Sequence, residues 1–425
     1  MKKQTSLAII IGKILRYIIR LRGSGGSALP GLVVEKLQPS FLSDTLSNLP
    51  DGVVVVTGTN GKTTTTKMIA DLLSSLGKKV LTNSTGSNFT RGIVAMIVKE
   101  ARIGQALDHD IAVIELDEAY ARRFVKDFKP AYVVALNVMR DQLDRFGEID
   151  TTAEILKSVL AQSTEGCVIN GNDPHLTSIA KTLKAPISYY AVDKSLQKYF
   201  PTDAELLSVS DQNSNHRVPL TDVELSGFNG QKAEFKISGK VYKTTLQVTG
   251  LYNFQNAAAA IALTRLVLPN IKIETILHRL SQVTPAFGRG ESFKIGGQPL
   301  EVVLVKNPAG FRLAIKSFLS KADIMIAIND QYADGRDVSW LWDVDFTDLK
   351  SQKVTMISGI RAYDMALRLR YDEVSFKDIE TDLNKALQRF IEESSDQPKR
   401  IYCTYTAMLS LYARLAKLTG TERTL

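Results

Sequence analysis

Lys62 and Thr63, directly after the turn Gly58-Thr59-Asn60-Gly61, are the residues of this 425-residue chain whose types and spacing speak most plainly of chemistry. A lysine behind a glycine-bearing turn at a helix N-terminus can reach the β- and γ-phosphates of a nucleotide. The hydroxyl that follows can sit on a magnesium ion, and the N–H groups of the turn can cradle phosphate oxygens. Thr59, Asn60, Gly61, Lys62, Thr63 and Thr64 are therefore expected to bind ATP. Lys62 is the catalytic charge and Thr63 a magnesium ligand. The usual phosphate loop asks for a further glycine where this chain has Val56, so the match is to the shorter form GTNGKT.

Two other stretches carry unusual chemistry. Glu115, Asp117 and Glu118 follow the apolar run Ile111 to Ile114. Carboxylates in that position either cap the next helix or, near a triphosphate, supply oxygens to its metal. The segment 329–346 gathers five aspartates and both tryptophans of the chain into eighteen residues. A solvated acidic loop has no need of two tryptophans, and a core segment has no use for five carboxylates, so an interface or a site is implied.

These residues need elements to hold them. Val53 to Val56 are consecutive and β-branched, the mark of a strand buried on both faces of a parallel sheet, and Met68, Leu72, Leu73 and Leu76 recur at helical spacing behind the loop. Further buried strands at 111–114 and 132–136 end in Glu115 and Asn137. Ligands of open parallel sheets collect at such carboxyl ends, so the polar residues point at one crevice. Short alternating runs broken by Gly227-Phe228-Asn229-Gly230 and Ser238-Gly239 predict β-hairpins inserted at about 185–248. From Val302 onward strands and helices alternate again, which predicts a second parallel sheet with helices on both faces. The expected fold class is α/β, with an N-terminal helix and loop (1–45), a central ATP-binding domain (46–285) and a smaller C-terminal domain (286–425). At the N-terminus, residues 6–22 have a helical period with a cationic face formed by Lys13, Arg16, Arg20 and Arg22. Such a helix either packs on the domain behind it or touches a membrane surface.

Composition narrows the function class. At 44% hydrophobic and 23% charged the chain reads as an ordinary globular protein, and its net charge of +8 fits an anionic small substrate, an anionic membrane surface or nucleic acid. The basic residues are spread along the chain with no RNA-binding signature, which leaves a nucleic-acid-stimulated ATPase as the weaker reading. Cys167 and Cys403 are too few for a disulfide framework or a four-thiolate zinc site and suit a reducing, cytoplasmic setting.

The loop GTNGKT resembles that of the ATP-dependent Mur ligases and folylpolyglutamate synthases, which phosphorylate a carboxylate and let an amine attack the acyl phosphate. The resemblance implies a Mur-ligase-like central P-loop domain followed by a Rossmann-like C-terminal domain, with ATP and Mg2+ as cofactors. It also makes Glu115 the magnesium-binding glutamate. Gly250 to Asn256 resembles a segment whose asparagines, here Asn253 and Asn256, approach the adenine, although Asn253 could equally cap its helix. Arg289 corresponds to an arginine that reaches the phosphates. Arg140 to Gly147 is similar to a segment in which a histidine helps hold a second magnesium; this chain has Gln142 there.

The acidic tryptophan segment, with Ser358 to Leu369 and Thr404 to Leu409, is similar to the MurT family, ligase subunits of lipid II isoglutaminyl synthase. That resemblance implies ATP-dependent amidation of the D-glutamyl α-carboxylate in the lipid II stem peptide. The ammonia comes from a glutaminase partner, GatD, and an acidic-loop aspartate completes the partner's triad: Asp337 is favoured over Asp334 and Asp343. Many members of the family carry a four-cysteine zinc ribbon, for which this chain lacks the thiols. The alternatives are an amino-acid-adding Mur ligase or a folylpolyglutamate synthase.

Overall fold

The computed structural model describes residues 3–21, 28–83, 89–139, 149–200, 217–248, 250–285, 289–317, 321–393 and 397–420. Three helices come first: α1 (Lys3–Leu21), α2 (Ala28–Leu37) and α3 (Phe41–Leu46). They are followed by β1 (Val53–Thr57), α4 (Lys62–Ser75), β2 (Val80–Thr82), α5 (Thr90–Glu100), β3 (Ile111–Glu115), α6 (Glu118–Asp127), β4 (Tyr132–Ala135), α7 (Ile149–Leu160), β5 (Gly166–Asn170), α8 (Pro174–Ala180) and β6 (Ile187–Val192). An antiparallel run β7 (Val223–Asn229), β8 (Lys232–Ile237) and β9 (Lys240–Thr245) leads to α9 (Tyr252–Val267) and α10 (Ile273–Leu280).

All nine strands form one sheet in the order β2-β3-β1-β4-β5-β6-β7-β8-β9. It is parallel as far as β7, and the hairpins extend it antiparallel at one edge. Residues Val53 to Thr57 and Ile111 to Glu115 are buried throughout, as strands covered by helices on both faces must be. One core lies on the α4–α9 face, the other beneath α1, α2, α5 and α6. The chain leaves β1 toward β2 on one side and leaves β3 toward β4 on the other, so the sheet has its switch point where β1 and β3 end side by side. That is where a crevice forms in open α/β sheets.

The second sheet has the order β10-β11-β15-β12-β13-β14, formed by β10 (Arg289–Ile295), β11 (Gln298–Leu304), β12 (Asp323–Ala327), β13 (Lys353–Ser358), β14 (Phe376–Glu380) and β15 (Lys399–Cys403). Only the β10–β11 pair is antiparallel. Helices α11 (Pro308–Ser317), α12 (Ala362–Tyr371), α13 (Leu383–Glu392) and α14 (Tyr405–Thr419) cover it. One short 3-10 turn, Ser339–Asp343, falls in the acidic tryptophan segment, and a second, Thr347–Ser351, follows it.

Two local readings differ from the sequence expectation. Leu29 to Gly31, expected in the N-terminal loop, belong to α2, because Pro30 falls in the first turn of the helix, where its missing N–H costs nothing. Gly31 allows α2 to press on α5, since a Cβ there would lie 1.9 Å from the carbonyl oxygen of Arg91. Residues 187–192, read as part of the hairpin insert, are instead a parallel strand of the main sheet, paired with β5.

Candidate active site

The loop between β1 and α4 turns on two glycines in the left-handed region, Gly58 at φ 120° and Gly61 at φ 89°. A side chain on Gly58 would press within 3.0 Å of the backbone of Asn137, and one on Gly61 would meet Asn256 Oδ1 at 2.5 Å. The loop is therefore squeezed between the end of β4 and the start of α9, and only glycine fits at either contact. Asn137 clamps it from below: the N–H of Asn60 donates to Asn137 Oδ1 at 2.8 Å, and Asn137 Nδ2 donates back to the Asn60 carbonyl at 3.1 Å. The Thr59 hydroxyl accepts from the N–H of Met139 at 3.1 Å and donates to its carbonyl at 3.2 Å. Both partners stand just past β4, so the polar strand end noted in the sequence holds the loop in shape.

Lys62 is buried. Its ammonium donates to the Gly58 carbonyl at 2.5 Å and the Thr59 carbonyl at 3.1 Å, and it forms an ion pair with Glu118 at 3.4 Å. Thr63 is half-buried and Thr64 buried, both in the first turn of α4. The N–H groups of a first helical turn, which have no acceptor within the helix, make it a place for phosphate oxygens.

The three carboxylates after β3 separate into three roles. Asp117 caps α6, accepting from the N–H of Ala119. Glu118 neutralises Lys62. Glu115 is pinned by its backbone to Asn83, which accepts from the Glu115 N–H at 2.8 Å and donates to its carbonyl at 2.9 Å. Its side-chain Oε2 is buried with no hydrogen-bond partner. A buried carboxylate oxygen left unpaired is costly unless something binds it, and a cation is the natural occupant. Among the described residues no group of three or more histidine, cysteine, aspartate or glutamate side chains could hold a metal by itself. The donor set thus fits magnesium, which takes one or two carboxylates and completes its shell with phosphate and water.

Asn256 and Asn253 sit at the start of α9. Asn256 abuts Gly61 and donates from Nδ2 to Asn253 Oδ1 at 3.1 Å, while Asn253 is fully buried. The outer asparagine faces the loop and the inner one orients it. Beside them lies a cleft lined by Asn137, Asp173, Tyr252 and Gln255 of the central domain and by Leu304 and Leu313 of the second. Asp173 accepts from the N–H groups of Val138 at 2.7 Å and Leu176 at 3.0 Å, and burial pushes its carboxyl above the usual range.

The second domain closes on the loop through Asn307. Its Nδ2 donates to Asn60 Oδ1 at 3.2 Å, while its Oδ1 accepts from the N–H of Gly310 and so caps α11. Sequence reading missed this clasp. The signal available was the pair Asn307-Pro308, an N-cap followed by proline. The side chain of Arg289 lies outside the described residues, as does the whole of 140–148 with Gln142, although the Arg289 backbone opens β10.

The acidic tryptophan segment crosses the carboxyl ends of β12, β13 and β15. Asp330 pairs with Arg361 through two hydrogen bonds, at 2.7 and 2.9 Å. Asp334 is buried and fully engaged, accepting from the N–H of Gln331 and from both the N–H and hydroxyl of Thr406. Asp337 is exposed, its carboxylate steadied by the N–H of Ser339 at 2.8 Å and the Ser339 hydroxyl at 2.9 Å. Asp343 is also exposed. Trp340 goes into the core, but Trp342 lies half out, edge-on to Tyr371, with the Arg368 guanidinium against both rings. Along α12, Tyr363, Leu367 and Tyr371 follow one another at four-residue spacing and are 68%, 60% and 74% exposed. With Trp342 and Ile360 they make an apolar aromatic face on the surface.

A Mur ligase middle-domain model matches residues 56–264 and a MurT ligase C-terminal model matches residues 304–408. The Streptococcus pneumoniae protein named lipid II isoglutaminyl synthase (glutamine-hydrolyzing) subunit MurT is 31% identical, covering 98% of this chain and 98% of its own. Its Staphylococcus aureus counterpart is 28% identical over 97% of this chain and 96% of its own. In three dimensions the chain resembles MurF from Acinetobacter baumannii (TM-score 0.68, 20% identity, 91% of this chain and 80% of that one). It also resembles a MurF ligase from Thermotoga maritima in complex with ADP (TM-score 0.65, 16% identity, 92% and 85%). These structures share the fold.

Proposed function

The chain belongs to the MurT family, ligase subunits of lipid II isoglutaminyl synthase within the wider Mur ligases, and from that premise we propose how its residues work. It is an ATP-dependent ligase of peptidoglycan synthesis. The γ-phosphoryl group of ATP passes to an oxygen of the D-glutamyl α-carboxylate in the lipid II stem peptide, and ADP leaves. Ammonia then forms the new C–N bond as the C–O bond to phosphate breaks, leaving D-isoglutamine.

In this reading the first turn of α4 and the loop N–H groups hold the phosphates, and Lys62 exchanges its two carbonyl contacts for phosphate oxygens. Glu118 holds the ammonium beside the loop before the nucleotide binds. The unpaired Glu115 Oε2 and the Thr63 hydroxyl would hold magnesium, whose charge would offset that of the transferring group. Asn256 borders the nucleotide and Asn253 orients it. The cleft between the two domains, clasped at Asn307 and Asn60, shelters the acyl phosphate from water.

As a subunit the chain works with a partner, and the partner of this reading is a GatD-type glutaminase seated on the face formed by Trp342, Tyr363, Leu367 and Tyr371. That face is the observation that carries the reading, because an amino-acid-adding ligase, complete in itself, has no use for an exposed aromatic stripe beside a presented carboxylate. Asp337 is the triad carboxylate in trans: it is exposed and steadied, whereas Asp334 is spent inside the domain. The test uses the purified complex with ATP, lipid II and glutamine labelled with nitrogen-15 in its amide. Label in the α-carboxamide of lipid II is expected. Incorporation of a free amino acid in its place, with no label transferred, would assign the chain to the amino-acid-adding ligases.

A further inference from the structure

Helix α1 has two unlike faces. Thr5, Ala8, Ile9 and Gly12 are buried against the rest of the protein, and a Cβ on Gly12 would sit 2.8 Å from Val98 and 2.9 Å from Val34, so the helix lies tight on α2 and α5. On the far side Leu7, Ile14, Ile18 and Leu21 fall within an arc of roughly 60° at helical spacing. All four are exposed, Leu21 to 71%, and Tyr17 at the border to 66%. Packing on the domain therefore accounts for only one face of this apolar helix. Leaving five large apolar side chains in water is unfavourable unless something covers them.

The charge on the helix identifies what does. Residues 3–21 contain no aspartate or glutamate, and the cations Lys13, Arg16 and Arg20 follow one another round the helix beyond Tyr17, Lys13 next to it and donating to the Lys99 carbonyl at 3.3 Å, Arg16 farthest from the strip. An apolar strip edged by an interfacial tyrosine, on a helix whose only charges are cations, suits an anionic phospholipid surface. The apolar side chains enter the boundary of the acyl region, the tyrosine sits among the headgroups, and the basic side chains reach their phosphates. No helix among the described residues is long and apolar enough to cross a membrane, which leaves the in-plane mode for α1. We propose that the outer face of α1 is a peripheral docking surface for an anionic lipid bilayer, fixing the ligase on the membrane by the strip Leu7, Ile14, Tyr17, Ile18 and Leu21. The value of docking for a lipid-linked substrate rests on the function proposed above; the binding itself does not.

Sedimentation of the full-length protein, in complex with its glutaminase partner, with vesicles of phosphatidylglycerol and phosphatidylcholine or of phosphatidylcholine alone tests this. The protein should partition about tenfold or more in favour of the anionic vesicles, and raising the salt should weaken the preference. Ile14→Glu combined with Ile18→Glu alters exposed positions only, so the melting temperature should hold while anionic-vesicle binding falls to the phosphatidylcholine level. Lys13→Gln with Arg16→Gln should reduce the anionic preference several-fold and spare the apolar strip. Equal partition of the wild type between the two vesicle types would overturn the proposal, as would a glutamate variant that still binds. Light scattering that finds a dimer of the chain dissolved by the same glutamate pair would make the face a self-contact and overturn it too. Vesicle binding in a protein that fails to amidate lipid II would count against the proposed function and leave this inference intact.

Discussion

The phosphate loop and the acidic tryptophan segment both lie across the carboxyl ends of parallel strands, yet they are built in opposite ways. In the loop nearly every polar group is turned inward: Asn60 on Asn137, Thr59 on Met139, Lys62 on Glu118, with Asn256 closing the mouth. In the segment the inner half is just as closed, with Asp330 on Arg361 and Asp334 on Thr406, but the outer half presents Asp337, Trp342 and the stripe of α12 to the surface. A site that satisfies itself needs only its substrate to act. One that leaves aromatic rings and a steadied carboxylate outside fits the proposal that its other half comes on another chain.

The contrast breaks most completely at Lys62. Lys62→Ala removes the charge opposite the transferring phosphoryl group, and amidation should fall about 10³-fold or more whether glutamine or ammonia supplies the nitrogen, with glutaminase binding unchanged. Rate assays with each donor check this; retained activity would move the ligase chemistry away from the loop. Glu115→Gln keeps the shape of the side chain and takes away its charge. A loss of roughly 10²-fold is expected, partly recovered as magnesium is raised, because the defect lies in ion affinity. Magnesium titrations at fixed ATP measure it, and a loss that no magnesium concentration moves would speak against a ligand role. On the other side, Tyr363→Ala with Leu367→Ala should weaken glutaminase binding about 10- to 100-fold by calorimetry while ammonia-driven amidation persists. If binding is unaffected, the partner sits elsewhere and the comparison fails on that side.

How much could be read from the sequence depended on how local the cause was. The strand Val53 to Val56, its glycine turn and the helix behind it were legible because burial on both faces, positive φ and helical spacing each leave marks within a few residues. The alternation that builds the second sheet was legible for the same reason. Glu115, Asp117 and Glu118 looked alike in sequence; what separates them is which atoms face Ala119, Lys62 or nothing, and those neighbours are set by tertiary packing. The helical state of Pro30 and Gly31 depends on first-turn tolerance and on the Arg91 backbone far along the chain, so a loop was the natural local reading. Asp334 and Asp337 lie three residues apart in one acidic run, and only the fold sends the first to Thr406 and the second outward.

The division of labour between the two regions rests on Asp337. A carboxylate that holds a partner's histidine in the right tautomer is worth up to about 10⁴-fold in a triad. Asp337→Asn, in an assembled complex, should therefore lose lipid II amidation driven by glutamine by several powers of ten, and restore it to the wild-type level when ammonia is added. If the complex forms and ammonia fails to rescue, Asp337 belongs to the ligase chemistry and the account of two half-sites joined across chains is contradicted.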